Sequence, residues 1–389
     1  MSIRYFLTNY KLVAKCTLGI HNMTSMQKQT RVFRKHGLIG GRRGPSEIID
    51  SKLFVFFLSA VLVLLASCQR SHGPGEPSGK AAKKIVLKMA HNGNDIHPFQ
   101  RGFEEFKKGI EAETRSAVDV QIFPSAQLGS EQEATQMVKL GLIAASASTL
   151  AGGLATSVPE AELFNLPFIF IDLDNCYRVI DGPIGQDLAR VIERKLHCIV
   201  LGYWFSGIRN VWNSKRPVRV PSDLKGIKIR VMASPILIET FNTLGAQATP
   251  MAFGELYSAL QTRVVDGGET DYLDLLYERF YEVTKYVSLT HHMYVVTALI
   301  FSRKVYDTLP ADVQAAVLKA GRASVEVERA AVALLSASAL EELKTRGLQF
   351  IDVDRAPFRA KVQSVYENNA DRVGGMALIE KVVNYQHGH

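Results

Sequence analysis

Two arginines offer the clearest chemistry in this sequence. Arg230 lies in the alternating run Gly226-Ile-Lys-Ile-Arg-Val-Met232, a pattern that predicts a half-buried strand. Ile227, Ile229 and Val231 then share one face, and Lys228, Arg230 and Met232 the other. Spacing leaves two placements open for Arg230: a solvated surface cation, as most arginines are, or a cleft group that forks onto a ligand carboxylate. Guanidinium suits the second role because its paired donors match a carboxylate in charge-assisted bonds, about twice as strong as neutral ones. Arg209, in the run from Gly202 to Asn213, is open to a structural ion pair or to the same ligand role. Two such cations in one cleft would focus a positive field on an anion.

Around them stand aromatic and polar groups with similar dual readings. Tyr203, Trp204 and Phe253 are either core or the apolar wall of a site, since ligand pockets are mostly apolar with a few placed polar groups. Glu269 and Thr270 follow Val265-Asp-Gly-Gly268; Glu269 either anchors its loop or accepts from ligand hydroxyls. His91 and Asn92 open a turn-like loop, and Ser146, Ser148 and Thr149 offer hydroxyls. Enzyme signatures are missing: the sequence has no GxxxxGK[ST] phosphate loop, no HExxH, no GxSxG and no Cys/His metal spacing. His291 and His292 are adjacent, and neighbours on a strand point to opposite sides. The expectation is a binding protein without cofactor or metal.

The elements that position these groups follow from periodicity. Phe99, Phe103, Phe106 and Ile110 recur at helical spacing over 98–114, between strands starting near Ile85 and covering Val118, Val120 and Ile122. This βαβ opening predicts an α/β chain with helices on a sheet. Ser130 and Glu133 form a capping box for the next helix. Short helices are expected near 173–181 and 184–195, then a strand over 197–204, a helix over 253–262 and a strand over 293–302. A helical pattern from Pro310 to about Thr345 has few breakers, and at 1.5 Å per residue would reach roughly 50 Å. Cys176 and Cys198 are open to a disulfide or to two buried thiols.

The chain has 389 residues, enough for two cores. Residues 1–68 hold 10 Lys+Arg against 2 Asp+Glu, leaving 36 of each in the remainder. The formally neutral remainder argues against a nucleic-acid partner, which needs a clustered basic surface. Leu53–Ala66 is a 14-residue uncharged stretch, too short for a usual membrane span and right for a signal-peptide core. Gln69–Lys84, rich in Gly, Pro, Ser and Lys, reads as a flexible tether.

Three stretches carry a family resemblance: Asp223-Leu-Lys-Gly-Ile-Lys-Ile-Arg-Val231, the run from Leu244 to Gln261, and Val264-Val-Asp-Gly-Gly-Glu269. They resemble the DctP-like substrate-binding proteins of tripartite ATP-independent periplasmic (TRAP) transporters, over about Lys84 to near the end. The resemblance implies a two-lobed α/β periplasmic binding protein, with a mixed sheet in each lobe and a long helix spanning both. Lobe I would comprise 85–206 plus 293–334, and lobe II 207–292 plus 335–389. It implies Arg230 on the carboxylate of an organic acid, helped by Arg209, with Thr270, Glu269, Phe253, Trp204, His91 and Asn92 around the ligand. Thr270 stands where the family often has Asn, which puts the ligand's identity in doubt. The segment Gly141–Gly152 lacks the carboxylates of the sialic-acid branch. A uronate, similar sugar acid or C4-dicarboxylate is expected, delivered to membrane permease subunits. Arg263 stands where the family has a left-handed glycine. Leu65-Ala-Ser-Cys68 resembles a lipobox, implying lipid on Cys68 and a membrane anchor. A ligand-sensing lipoprotein of the same fold is the alternative.

Overall fold

The computed structural model describes residues 84–386. The leader, Cys68 and all but the last residue of the proposed tether lie outside them.

The chain opens as the periodicity predicts. Strand Ile85–Ala90 (β1) leads into helix Pro98–Glu113 (α1), then Val118–Phe123 (β2), which pairs with β1 in parallel. Helix α1 forms because its phenylalanines make one apolar stripe; Phe99, Phe103, Phe106 and Ile110 are all buried. Its start is fixed by Pro98 at the first helical position and by His97, whose Nδ1 accepts from Phe99 N–H at 3.1 Å. Helix Glu131–Leu140 (α2) carries the full Ser130/Glu133 capping box and ends on left-handed Gly141. Strand Ala145–Thr149 (β3) follows, then helices Leu173–Asp181 (α3) and Pro183–Leu196 (α4).

The strand expected over 197–204 does not stop there. It continues as Cys198–Asn213 (β4), past the expected crossing near Ser206. Its partner Tyr286–Ser302 (β8) likewise begins before residue 293. The two strands pair antiparallel from Cys198↔Ser302 to Asn213↔Tyr286, so ladder hydrogen bonds carry both across the crossing. Register shifts at 200/202, 205/207 and 209/211 interrupt the ladder, and irregularities of this kind let a paired strand bend. Between these strands lie Lys228–Val231 (β5), helix Pro235–Leu244 (α5), Gln247–Pro250 (β6), helix Leu256–Gln261 (α6), Gly267–Thr270 (β7) and helix Tyr272–Tyr277 (α7). The helix expected over 253–262 is a 3-10 turn at Phe253–Glu255 followed by α6.

The sheet order is β2-β1-β3-β8-β4-β7-β5-β6, with Gln349–Ile351 (β9) also on β8. Each end is mixed: β1, β2 and β3 are parallel neighbours, as are β5, β6 and β7, and each group meets β4 or β8 antiparallel. After the short helix Arg303–Tyr306 (α8), Ala311–Thr345 forms one 35-residue helix (α9) packed on α1, β4 and α7. Short helices Ala356–Lys361 (α10), Gln363–Asn369 (α11) and Met376–Gln386 (α12) close the chain.

Three apolar clusters hold these elements. One joins Phe103, Trp204, Phe301 and Val317; a second joins Trp212, Leu256, Phe280 and Leu343; the largest includes Phe164, Phe205, Phe241 and Val365. Cys176 and Cys198 are both buried and free, and burial pushes the Cys198 thiol up to about 12. Each fills core space as a small apolar side chain. Among the described residues no helix is long and apolar enough to cross a membrane.

Candidate ligand-binding site

A cavity of 370 Å³ opens where the loops after β1, β3 and β5 meet the N-terminus of α2. That size suits a small molecule. Its first wall carries Asn92, His97, Phe99, Glu131 and Thr149; its second carries Arg209, Arg230, Met251, Phe253 and Asp274.

Arg230 is 2% exposed, so it is not the solvated cation that spacing left open. Its Nε and Nη2 donate to the Met251 carbonyl at 3.1 and 2.9 Å, which fixes the guanidinium plane. Nη1 is buried without a partner. Phe253 lies 5.8 Å from the guanidinium carbon, within cation–π reach. Burial, then the neighbouring Arg209 cation, pull the Arg230 pKa down to about 10, which leaves it charged at neutral pH.

Arg209 lines the same cavity but is already matched. Nη2 reaches Glu269 Oε1 at 2.9 Å and also the Glu269 carbonyl, while Nε meets Oε2. Burial opposes its charge, but Glu269 outweighs that and holds its pKa above the ordinary value. His292 Nε2 sits 3.4 Å from Glu269 Oε2, the same oxygen that Arg209 Nε meets. Glu269 therefore holds Arg209, and does not line the cavity.

Three other expected ligand groups are placed elsewhere, as is Tyr203, whose type left core or wall open. Trp204 is wholly buried between Phe99 and Phe103, with its indole N–H on Ser324 Oγ at 3.3 Å; it is core, not a cavity wall. Gly102 leaves the space for it, since a Cβ there would lie 2.6 Å from the Trp204 ring. Tyr203 is core as well, its hydroxyl donating to the Gly185 carbonyl at 2.9 Å. Thr270 accepts from the Trp212 indole at 3.0 Å and donates to the Asp271 carbonyl. His91 stacks on Phe103 and meets Gln100 Oε1 at 3.0 Å; burial lowers its pKa to about 4. Of the seryl and threonyl hydroxyls, Ser146 and Ser148 bond within the sheet and to Thr135, whereas Thr149 reaches the wall.

Three titratable cavity residues were not among the expected ligand groups. Glu131, the first residue of α2, accepts from the Thr149 backbone N–H and from Asn92 Nδ2 at 3.5 Å. Burial pushes its carboxyl up to about 7 against the Thr149 bonds and the pull of Arg230 and Arg209. Asp274 is held well above the carboxylate range by burial and by Asp271. His97 Nε2 faces Asp274 Oδ1 at 3.8 Å, but burial lowers the His97 pKa to about 3, so the imidazole brings no charge to this contact. Only the Ser130 capping signal lay near one of them, and it marks a helix start rather than a cavity.

Residues 89–372 match the family described as DctP, bacterial extracellular solute-binding protein, family 7. The chain belongs to the DctP family of TRAP solute-binding proteins. These are periplasmic binding proteins of transport systems, not enzymes. A solute-binding protein of Verminephrobacter eiseniae is 35% identical over 276 residues, covering 71% of this chain and 82% of its own. A TRAP periplasmic solute-binding protein of Sulfitobacter with bound β-D-galacturonate shares the fold with a TM-score of 0.74 at 29% identity, over 77% of this chain and 99% of its own. One from Sulfurospirillum deleyianum with bound succinate gives 0.74 at 30% identity, over 77% and 98%. Among the described residues no cluster of His, Cys, Asp and Glu is placed to hold a metal ion.

Proposed function

We propose that this DctP-family protein closes its cavity on a small organic acid, a sugar acid or C4-dicarboxylate, pairs the carboxylate with Arg230, and delivers it to a TRAP permease. The observation that carries this is Arg230 on the cavity wall, its guanidinium buried, oriented by Met251 and with Nη1 unpartnered. A buried cation with a free donor is costly until an anion meets it. A ligand carboxylate supplies both the charge and the missing acceptor. Arg209, its charge matched by Glu269, adds a second polar group on the same side, and Phe253 and Met251 offer apolar surface to the carbon chain. The galacturonate and succinate bound by similar proteins fit this size and chemistry.

Closure would bring lobe I (85–206 plus 293–334) onto lobe II (207–292 plus 335–389), with α9 bracing both. Such closure favours the shut form only by the ligand's preference for it. Lipid on Cys68 would hold the protein at the membrane.

The test is calorimetric titration of wild type and Arg230→Ala with galacturonate and succinate. Loss of a buried charge partner should cost about 2–5 kcal/mol of binding. Undiminished affinity in Arg230→Ala would remove the guanidinium from the site.

A further inference from the structure

The cavity contains one cation whose charge no side chain matches, and two carboxyl groups. Among the described residues Arg230 has no ion-pair partner, whereas Arg209 is neutralised by Glu269. Glu131 and Asp274 both line the wall. Glu131 is fixed by the Thr149 N–H and Asn92, so it cannot swing away from an incoming group without giving up those bonds. We propose that Glu131 makes the site selective for polyhydroxylated monocarboxylates and against C4-dicarboxylates. This rests on the carboxylate reading of Arg230.

The argument is one of charge and hydrogen-bond capacity. A first carboxylate satisfies Arg230. A second would enter the cavity with no cation left for it, beside Glu131, and like charges at close range repel. Hydroxyls meet the opposite situation. An ionised carboxylate is acceptor-only and takes an O–H donor in a charge-assisted bond. Asn92 and Thr149, on the same wall, extend that polar surface. The titratable groups facing Glu131 across the cavity are Arg230, Arg209, His97 and Asp274, and none supplies a free second cation.

The experiment is titration of wild type, Glu131→Gln and Arg230→Met at pH 8, where Glu131 is ionised, with galacturonate, gluconate and succinate. Wild type should bind the two hydroxy acids at least tenfold tighter than succinate. Glu131→Gln, which keeps an acceptor for Thr149, should weaken the hydroxy acids roughly 10- to 100-fold, as expected for a hydrogen bond to a charged group. It should strengthen succinate, so the ratio collapses. Arg230→Met should lose all three. A Glu131→Gln ratio equal to wild type, with Arg230→Met still losing all acids, overturns the selectivity and leaves the Arg230 reading intact. Wild type that prefers succinate does the same. No acid binding to wild type overturns both.

Discussion

Glu328 shows how a single buried group can couple this fold to pH. It is fully buried on α9; Oε2 accepts from Phe205 N–H at 3.0 Å, and Oε1 has no partner. Burial raises its pKa from 4.5 to about 8, against the lowering pull of the Phe205 bond and Arg329. The folded chain therefore holds this proton where the unfolded chain has released it. Stability linked to Glu328 is present below about pH 4.5 and is lost progressively as pH rises toward 8 and beyond. Glu328→Gln keeps an oxygen for Phe205 and cannot ionise. It should melt at about the same temperature as wild type at pH 5 and several degrees higher at pH 9. Parallel melting curves for both proteins across that range would show that the carboxyl does not titrate in the fold. Arg230 was readable at this scale only through the family resemblance, since alternation put it opposite Ile227, Ile229 and Val231 and left a solvated face or a cleft open. Glu131, His97 and Asp274 were not, because nothing in a residue's near neighbours reports burial produced by distant segments.

At the scale of elements, the apolar stripe of α1 and the breaker-poor run of α9 were legible, since both follow from periodicity along one segment. The unbroken β4 and β8 were not. The expected strand ended at 204 and the first lobe at Ser206, yet each strand finds its ladder partners on the other, 73 or more residues away in chain order. Gly207 shows why an apparent breaker is tolerated. Its φ of +145° and its close approach to Asp271, where a Cβ would lie 2.4 Å from Asp271 Cβ, leave room only for hydrogen. Asp271 in turn caps α7, which carries Asp274. Gly207→Ala should cost about 1–3 kcal/mol and weaken acid binding through the displaced α7. A melting temperature equal to wild type would refute this account of the bulge. Arg263 sits at φ +60° at the end of α6, where the resemblance led one to expect a glycine-like turn. The exposed position lets the arginine take that conformation at roughly 1 kcal/mol.

On the scale of the whole molecule, family membership and the mixed α/β architecture could be read from the motif stretches between Asp223 and Glu269. The ligand contacts could not be carried over one by one. Trp204, Glu269, Thr270 and His91 have the right residue types but face other core groups, and only the assembled sheet decides which way they point. The proposed anchor also belongs to this scale, because it concerns where the folded unit is held. Cys68→Ser should release the protein from the membrane fraction or leave it unprocessed, as judged by fractionation and metabolic labelling with a fatty acid. A variant retained with normal processing would rule out Cys68 as the attachment point.

The paired run of β4 and β8 has a mechanical corollary. With no slack segment at the join, any swing of the two ends of the sheet must flex a hydrogen-bonded ribbon at its bulges. In the closure proposed above, such a ribbon would store the deformation and restore the starting shape when cargo leaves. In that closure the join would also offer a protease no free strand to thread.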